Sequence, residues 1–344
     1  MPEQTKLLPT TVVGSYPPPE WLVDRDILRR TVARTPIPEV WRVRQPFLLA
    51  AQDDATRLAI SDMEDAGIDI ITDGEVRRES YSTRFGLELG GVDSKNLAEI
   101  KGRTGVSIVV PRITGPIRRT APVEVRDAQF LRAQTKRLTK ITMPGPFTLT
   151  RQMKNDFYAD DEEAAMDMAA AINAELKEIK AAGIDIVQLD EPWMQGFPEE
   201  ASRYGIKVLN RALEGIEGQT VVHICFGYAF LVQQKRSGYA FLSEFADSVA
   251  TQISIETAQP KLDLGILREL ANKTIVLGVL DLATMAIEAP ELVASRIEAA
   301  FAYVPPERIV PAPDCGMKYM PRDVAFGKLK ALSDGAALAR ARLS

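Results

Sequence analysis

The sequence predicts an α/β barrel of eight parallel strands, a (β/α)8 TIM barrel, carrying a small β-hairpin insertion. Three observations predict it. Short apolar, β-branched runs alternate with longer stretches of helical periodicity along the chain. No Pro/Gly/Ser-rich linker or low-complexity segment divides it, so one barrel over residues 1–344 is expected. Finally, acidic residues, the sole histidine and both cysteines follow directly on the apolar runs. In such a barrel those positions form the active-site rim.

In chain order, Thr10–Tyr16 (TTVVGSY) reads as the first buried strand, stopped by Pro17, Pro18 and Pro19. Helical spacing follows over Glu20–Arg30 and Pro46–Ala66, the second ended by Gly67. Ile68–Thr72 is the second strand, running into Asp73-Gly74-Glu75. The β-branched and Pro-rich residues 106–119 read as a hairpin, within an insertion of about 101–122. Ala128–Leu138 is helical, and Ile141–Met143 is the third strand. The Ala-rich helix Glu162–Ala182, with Gly183 after it, precedes the fourth strand, Ile184–Leu189. Val221–Tyr228, Thr251–Ile255, Thr274–Val279 and Ile309–Ala312 supply the remaining four, with helices expected in every interval. Among these are Glu288–Tyr303 and a last helix from Asp323 to about Arg342.

Composition excludes several functions. With 46% hydrophobic and 26% charged residues the chain is ordinary for a soluble globular protein. A net charge of -5 argues against nucleic acid or an anionic membrane as the main partner. No apolar run approaches the roughly 20 residues of a membrane span. The stretch MPEQTKLLPTT lacks the apolar core of a signal peptide. Two cysteines make at most one disulfide, so a reducing cytoplasm is expected.

The chemistry converges on VVHICFGY. On a strand, residues two apart point the same way, so His223 and Cys225 present an imidazole and a thiol side by side. That pair is half of a tetrahedral zinc site. The other strand ends carry Ser15, Glu75, Asp190, Glu256, Asp281 and Cys315. Three scarce residues, one histidine and two cysteines, thus fall on one rim, which favours a metal site over packing.

The motifs V-G-S-Y-P, D-G-E, G-P-F-T, Q-L-D-E-P, H-I-C, S-I-E-T and P-D-C-G occur in this order. Together they resemble the catalytic domain of cobalamin-independent methionine synthase, in a single-barrel form, from about Thr10 to Leu332. The resemblance implies zinc held by His223, Cys225, Glu256 and Cys315, with Glu256 displaceable by a thiol substrate. It also implies that Glu75 and Asp190 hold the ammonium of homocysteine, and that the Gly14-Ser15 turn binds its carboxylate. Trp193 would wall the pocket, and Asp281 and Glu256 are the expected catalytic carboxylates. Zinc lowers the pKa of a coordinated thiol, so such a site delivers a thiolate for S-methylation.

Two positions depart from the family pattern. Arg151-Gln152 stands where relatives hold the folate pterin on an aromatic ring. Ala283 stands where relatives have a histidine that handles the proton at the folate nitrogen. The methyl donor, folate or a corrinoid protein, is therefore open, and a methyl-corrinoid or another activated donor is expected to outperform methyl-folate. Two other readings remain: a zinc thiol alkyltransferase of the epoxyalkane:coenzyme M transferase type, and a non-catalytic zinc barrel docking a corrinoid protein. Retention of both Glu75 and Asp190 favours the amino-acid thiol.

Overall fold

The computed structural model describes residues 6–30, 34–103, 105–228, 238–239 and 242–343. The first five residues, part of the stretch read for a signal peptide, lie outside that set. Among the described residues the strands are β1 (Ile70–Ile71), β2 (Gly90–Lys101), β3 (Ser107–Arg118), β4 (Leu138–Pro144) and β5 (Lys154–Asn155). They continue with β6 (Ile186–Asp190), β7 (Gln219–Ile224), β8 (Gln252–Glu256), β9 (Thr274–Leu280) and β10 (Ile309–Pro313). Seven of them form one parallel sheet in the order β1-β4-β6-β7-β8-β9-β10.

The expected strand Thr10–Tyr16 fills the eighth position but is reduced to an isolated bridge, Thr11 to Ile70. The Ile70 amide donates to Thr10 O at 3.0 Å, and the Thr11 amide donates to Pro311 O at 3.0 Å. Residues 10–11 thereby close the barrel between β10 and β1. The ladder is short for a chemical reason: Pro311 and Pro313 on the facing strand have no N–H to give. Asp69 supplies a side-chain substitute, accepting from the Thr10 amide (2.9 Å) and hydroxyl (3.1 Å).

Strand alternation sorts the core into two parts. Ile70, Ile186, Val221, Val276, Val310 and Ala312 plug the barrel interior as a small separate cluster. Their out-of-phase neighbours Val222 and Ile224 face the helices and join the large outer core. Above the apolar plug comes a polar layer. Lys140 Nζ donates to Val12 O and to Gln188 Oε1, both at 2.7 Å, and Gln188 Nε2 donates to Asp190 Oδ1 at 2.8 Å. Burial pushes the Lys140 ammonium down to about 7. This relay leads from mid-barrel to the rim that carries the chemistry.

The outer helices are largely as expected: Leu48–Asp65, Val125–Gln134, Asp161–Ala181, Pro290–Ala299 and Arg322–Leu343. Asp160 caps the third of these by accepting the Glu163 amide at 2.9 Å, and three acids in its first turn suit the helix dipole. Three expectations need correction. The helix expected over Glu20–Arg30 begins only at Arg25. Among the described residues, only 3-10 turns lie between β7, β8 and β9, namely Leu242–Asp247 and Leu264–Leu270. Part of the second interval is taken up by the loop after Glu256, which Asp314 ties down, so little chain is left for a helix. The hairpin begins at Gly90 rather than near 101, because its first arm, GGVDSKNLAEIK, is too polar to signal a strand alone. Pairing with the apolar second arm creates it.

That hairpin forms a separate three-stranded sheet, β2-β3-β5. It is fastened to the barrel helix Asp161–Ala181 by ion pairs from Arg119 to Glu175 and Glu178, and by Tyr158, whose hydroxyl accepts the Ile117 amide and donates to Asp167 Oδ2, both at 2.6 Å. Its turn reaches the barrel mouth, where Gly102 and Arg103 line the main cavity.

Candidate active site and metal centre

A cavity of about 550 Å³ opens at the C-terminal ends of the strands. His223, Cys225 and Cys315 meet on its floor, with their ligand atoms within 4.8 Å of one another. All three residues are buried. His223 and Cys225 come from the end of β7, two residues apart as strand geometry requires, and Cys315 comes from just past β10. The imidazole is aimed by β8: Ser254, the register partner of His223, places its Oγ 2.8 Å from His223 Nδ1. The other nitrogen, Nε2, is buried, has no conventional hydrogen-bond partner among the described residues, and is left to the neighbouring Cys225 sulfur.

The Cys225 sulfur is primed for ligation. A hydrogen bond from Cys315, and then the neighbouring His223 and Arg103, hold the Cys225 thiol well below its ordinary value despite burial. Burial opposes a charged imidazole at His223, but the facing Cys225 sulfur outweighs it and the pKa rises. One nitrogen fixed by a hydroxyl, the other aimed at two thiols, is a donor set that suits Zn²⁺. Cys315 is placed by its neighbour. Asp314 Oδ1 accepts the amides of Thr257 (3.1 Å) and Ala258 (3.0 Å), and its Oδ2 accepts that of Gln259 (2.6 Å).

The acidic side of the cavity comes from β1 and β6. Glu75 occupies a left-handed conformation, φ 51°, which is strained for a residue with a Cβ. Asp73 Oδ1 holds the turn by accepting the Glu75 amide at 3.0 Å, and the Thr142 hydroxyl donates to Glu75 Oε1 at 3.0 Å. Arg78, fully buried, braces Thr142 from behind by donating to its carbonyl at 2.7 Å. Glu75 Oε2 has no hydrogen-bond partner among the described residues. Burial pushes the Asp190 carboxyl up to about 7. Gly14 is required here for space: a Cβ would lie 2.4 Å from Glu75 Oε1. Ser15 is buried beside it, its Oγ without a hydrogen-bond partner among the described residues.

Not every expected residue joins the site. In Asp190-Glu191 the two acids divide the work. Glu191 turns away to cap the helix Pro146–Arg151, accepting the Phe147 amide at 3.1 Å and that of Thr148 at 2.8 Å. Glu256 is buried at the end of β8, yet its carboxylate stands outside the close group of three. Its amide donates to the Tyr239 hydroxyl at 2.8 Å. Asp281 does not line the cavity; its Oδ1 accepts the Ala283 amide at 2.8 Å, closing a local turn. Trp193 does line the cavity, buried and stacked on Phe197 with ring centroids 5.7 Å apart. Arg151 and Gln152 do not line it. Arg151 lies 4.0 Å over the Phe197 ring, and Gln152 Nε2 donates to the Tyr81 hydroxyl at 2.6 Å.

Residues missed from sequence are Ser254, Tyr81, Arg34 and Arg103, the last three all in the cavity wall. Ser254 had one available signal, its position two residues before Glu256 on a strand adjacent to β7.

Comparison with known proteins agrees with the architecture. The family model described as the catalytic domain of cobalamin-independent synthase matches residues 8–338. A methionine synthase of Sulfurisphaera tokodaii is 30% identical over 99% of this chain and 95% of its own length. One from Saccharolobus solfataricus is 31% identical over 98% of this chain and 96% of its own. A solved structure of a B12-independent methionine synthase from Shewanella sp. W3-18-1, in complex with selenomethionine, superposes with a TM-score of 0.90 at 35% identity. It is covered over 99% of its length by 98% of this chain. No helix among the described residues is long and apolar enough to cross a membrane. The chain belongs to the cobalamin-independent methionine synthase family, through that family's catalytic, methyl-transferring domain.

Proposed function

We propose that the protein methylates the thiol of homocysteine at a zinc centre held by His223, Cys225 and Cys315. The observation that carries the reading is the buried His223 imidazole and two thiols with their ligand atoms within 4.8 Å of one another. Three protein ligands with a further position open is the composition of a catalytic rather than a structural zinc site. Glu256, buried at the adjacent strand end, is the protein's own candidate for that position when no thiol takes it. When bound, zinc would supply Lewis acidity that lets the substrate thiol react as a thiolate at neutral pH.

The remaining work falls to the chain. Glu75 Oε2 and Asp190 face the ammonium of the amino acid, and the Ser15 hydroxyl with the Gly14 turn receives its carboxylate. Held at both ends, the amino acid directs its side-chain sulfur to the floor of the cavity. The sulfur then attacks the donor's methyl carbon: the C–S bond forms as the donor–methyl bond breaks, and that electron pair leaves with the donor. The complex of the Shewanella relative with selenomethionine, a product-like amino acid, supports an amino-acid acceptor.

With His223 as the only histidine, no imidazole is left to protonate a leaving amine. A general acid contributes ~10²–10⁴-fold in rate. We therefore propose that a donor needing no proton, such as a methyl-corrinoid, turns over faster than 5-methyltetrahydrofolate. The test is methionine formation by the zinc-loaded protein from homocysteine with each donor. Absence of methionine with both donors refutes the assignment. Faster turnover with folate refutes the donor order.

A further inference from the structure

We infer that Lys318 is the positioning residue that couples the metal centre to the amino-acid pocket, so that zinc and the amino-acid head group each tighten the binding of the other. The inference rests on the reading of the site given above and adds the route between its two halves. Lys318 lies three residues past Cys315, on the same loop. It is fully buried and does not line the cavity. Its ammonium donates to Arg78 O and reaches Glu75 O at 3.5 Å, so both ends of the Glu75–Arg78 turn are held from the Cys315 loop.

The loop from Cys315 to Lys318 touches both sides of the amino-acid pocket. The Met317 amide donates to Ser15 O at 2.9 Å, and a Cβ at Gly316 would lie 2.3 Å from Ser15 Oγ. That fastens the carboxylate side. Lys318 fastens the ammonium side, where the backbone is strained at Glu75. Asp73 fixes the Glu75 amide and Thr142 fixes its Oε1. The Glu75 carbonyl is left to the Arg78 amide, at 3.2 Å, and to Lys318. A strained turn persists only while its surroundings over-determine it. Lys318 is one of the holds that keep Glu75 aimed at the cavity, and it comes from the loop that carries a metal ligand.

Packing does not explain a lysine here. Burial pushes its ammonium down to about 8, against the pull of the neighbouring Glu75. A methionine would fill similar space without that desolvation. What the ammonium adds is a compact head with three N–H donors, able to hold carbonyls from two points of the backbone at once. The coupling follows from that link. Zinc bound at Cys315 would restrict the loop, and through Lys318 the same restriction falls on the Glu75 turn. An ammonium held by Glu75 restricts the turn and, by the same link, the loop. Each ligand then meets a site that the other has already ordered, which is positive cooperativity, and it must be reciprocal.

Norleucine is the probe, because it has the head group of methionine and no sulfur to reach the metal. On the full-length protein, chelator competition gives zinc affinity with and without saturating norleucine. Calorimetry gives norleucine affinity with and without zinc. In the unmodified protein each ligand should tighten the other by the same factor, ~5-fold or more, the lower end of ordinary coupling. Lys318→Met should bind both ligands but bring that factor below about twofold. Lys318→Arg, which keeps donors for the carbonyls, should restore part of it. Hydrogen exchange of the unmodified protein gives a second reading: zinc alone should slow the amides of residues 75–78. Coupling that persists in Lys318→Met overturns the inference. So does a Lys318→Met protein that loses zinc while binding norleucine as the metal-free unmodified protein does, since the lysine would then serve the metal loop alone. If the variants do not fold, the unmodified protein decides: absent coupling, or exchange at residues 75–78 indifferent to zinc, overturns it. An unmodified protein that binds no zinc, or neither norleucine nor methionine, would instead refute the proposed function, a separate result.

Discussion

Ser254→Ala tests how the metal centre is oriented. The serine sits on β8 in register with His223, and its Oγ lies 2.8 Å from Nδ1 in a buried setting. Removing the hydroxyl leaves the Nδ1 proton without an acceptor, at a cost of about 1–3 kcal/mol to the folded metal-free protein. It also releases the imidazole to rotate or change tautomer, so Nε2 is no longer held toward Cys225 and Cys315. Loss of such an outer hydrogen bond lowers metal affinity by roughly 10–100-fold, which is about 1.4–2.7 kcal/mol. Ser254→Thr is the control, because it keeps the hydroxyl and a β-branched side chain suits a strand. Zinc affinity is measured by competition with a chelator at neutral pH, with thermal unfolding of the metal-free proteins alongside. Ser254→Ala within twofold of wild type in zinc affinity would show that Ser254 does not orient the ligand.

Four further outcomes are expected. The Cys225→Ser, Cys315→Ser double variant should lose zinc, and stoichiometric metal by elemental analysis would sink the ligand assignment. Glu75→Ala or Asp190→Ala should weaken homocysteine binding by about 1.5–3 kcal/mol with zinc retained, and calorimetry finding both unchanged would exclude an amino-acid acceptor. Asp190, pushed up to about 7 by burial, binds an ammonium only when ionised. Methionine affinity of the metal-free protein should therefore fall as pH drops through that value, and Asp190→Asn should flatten the profile. The linked stability has the opposite sign. A carboxyl whose pKa is raised by folding contributes stability at low pH that is lost as pH rises through about 7. Asp190→Asn should accordingly raise the melting temperature of the free protein at about pH 8 and leave it little changed near pH 4.

The barrel was legible because its strands are continuous apolar runs whose ends carry chemistry. His223 and Cys225 could be read from the period of two alone. The seam strand was read as regular because Thr10–Tyr16 is apolar, while the two prolines that cut its ladder lie some three hundred residues away in sequence. Asp281 was read as a rim acid because it follows β9 directly, much as Glu256 ends β8. Only its turn toward the Ala283 amide distinguishes it. Arg34 and Arg103 carry no local signal at all. Their place depends on a hairpin folding back across the mouth, and on glycines at 196 and 227 far along the chain.

The closure of the barrel has a mechanical consequence. Six of its eight seams are parallel strand ladders, and β1 is joined to β4 over its two residues. The N-terminal segment instead holds β10 through one amide, Thr11 to Pro311, and holds β1 through a bridge and the Asp69 side chain. A cylinder stiff all round but for the two thin seams beside this segment takes up deformation there. Gly14 and Ser15 stand on its lip, with Ser15 O accepting the Met317 amide from the far side at 2.9 Å. A carboxylate lodged at Ser15 would therefore act as a clasp. The compliance that lets the mouth widen for an entering amino acid is the same compliance that its binding removes.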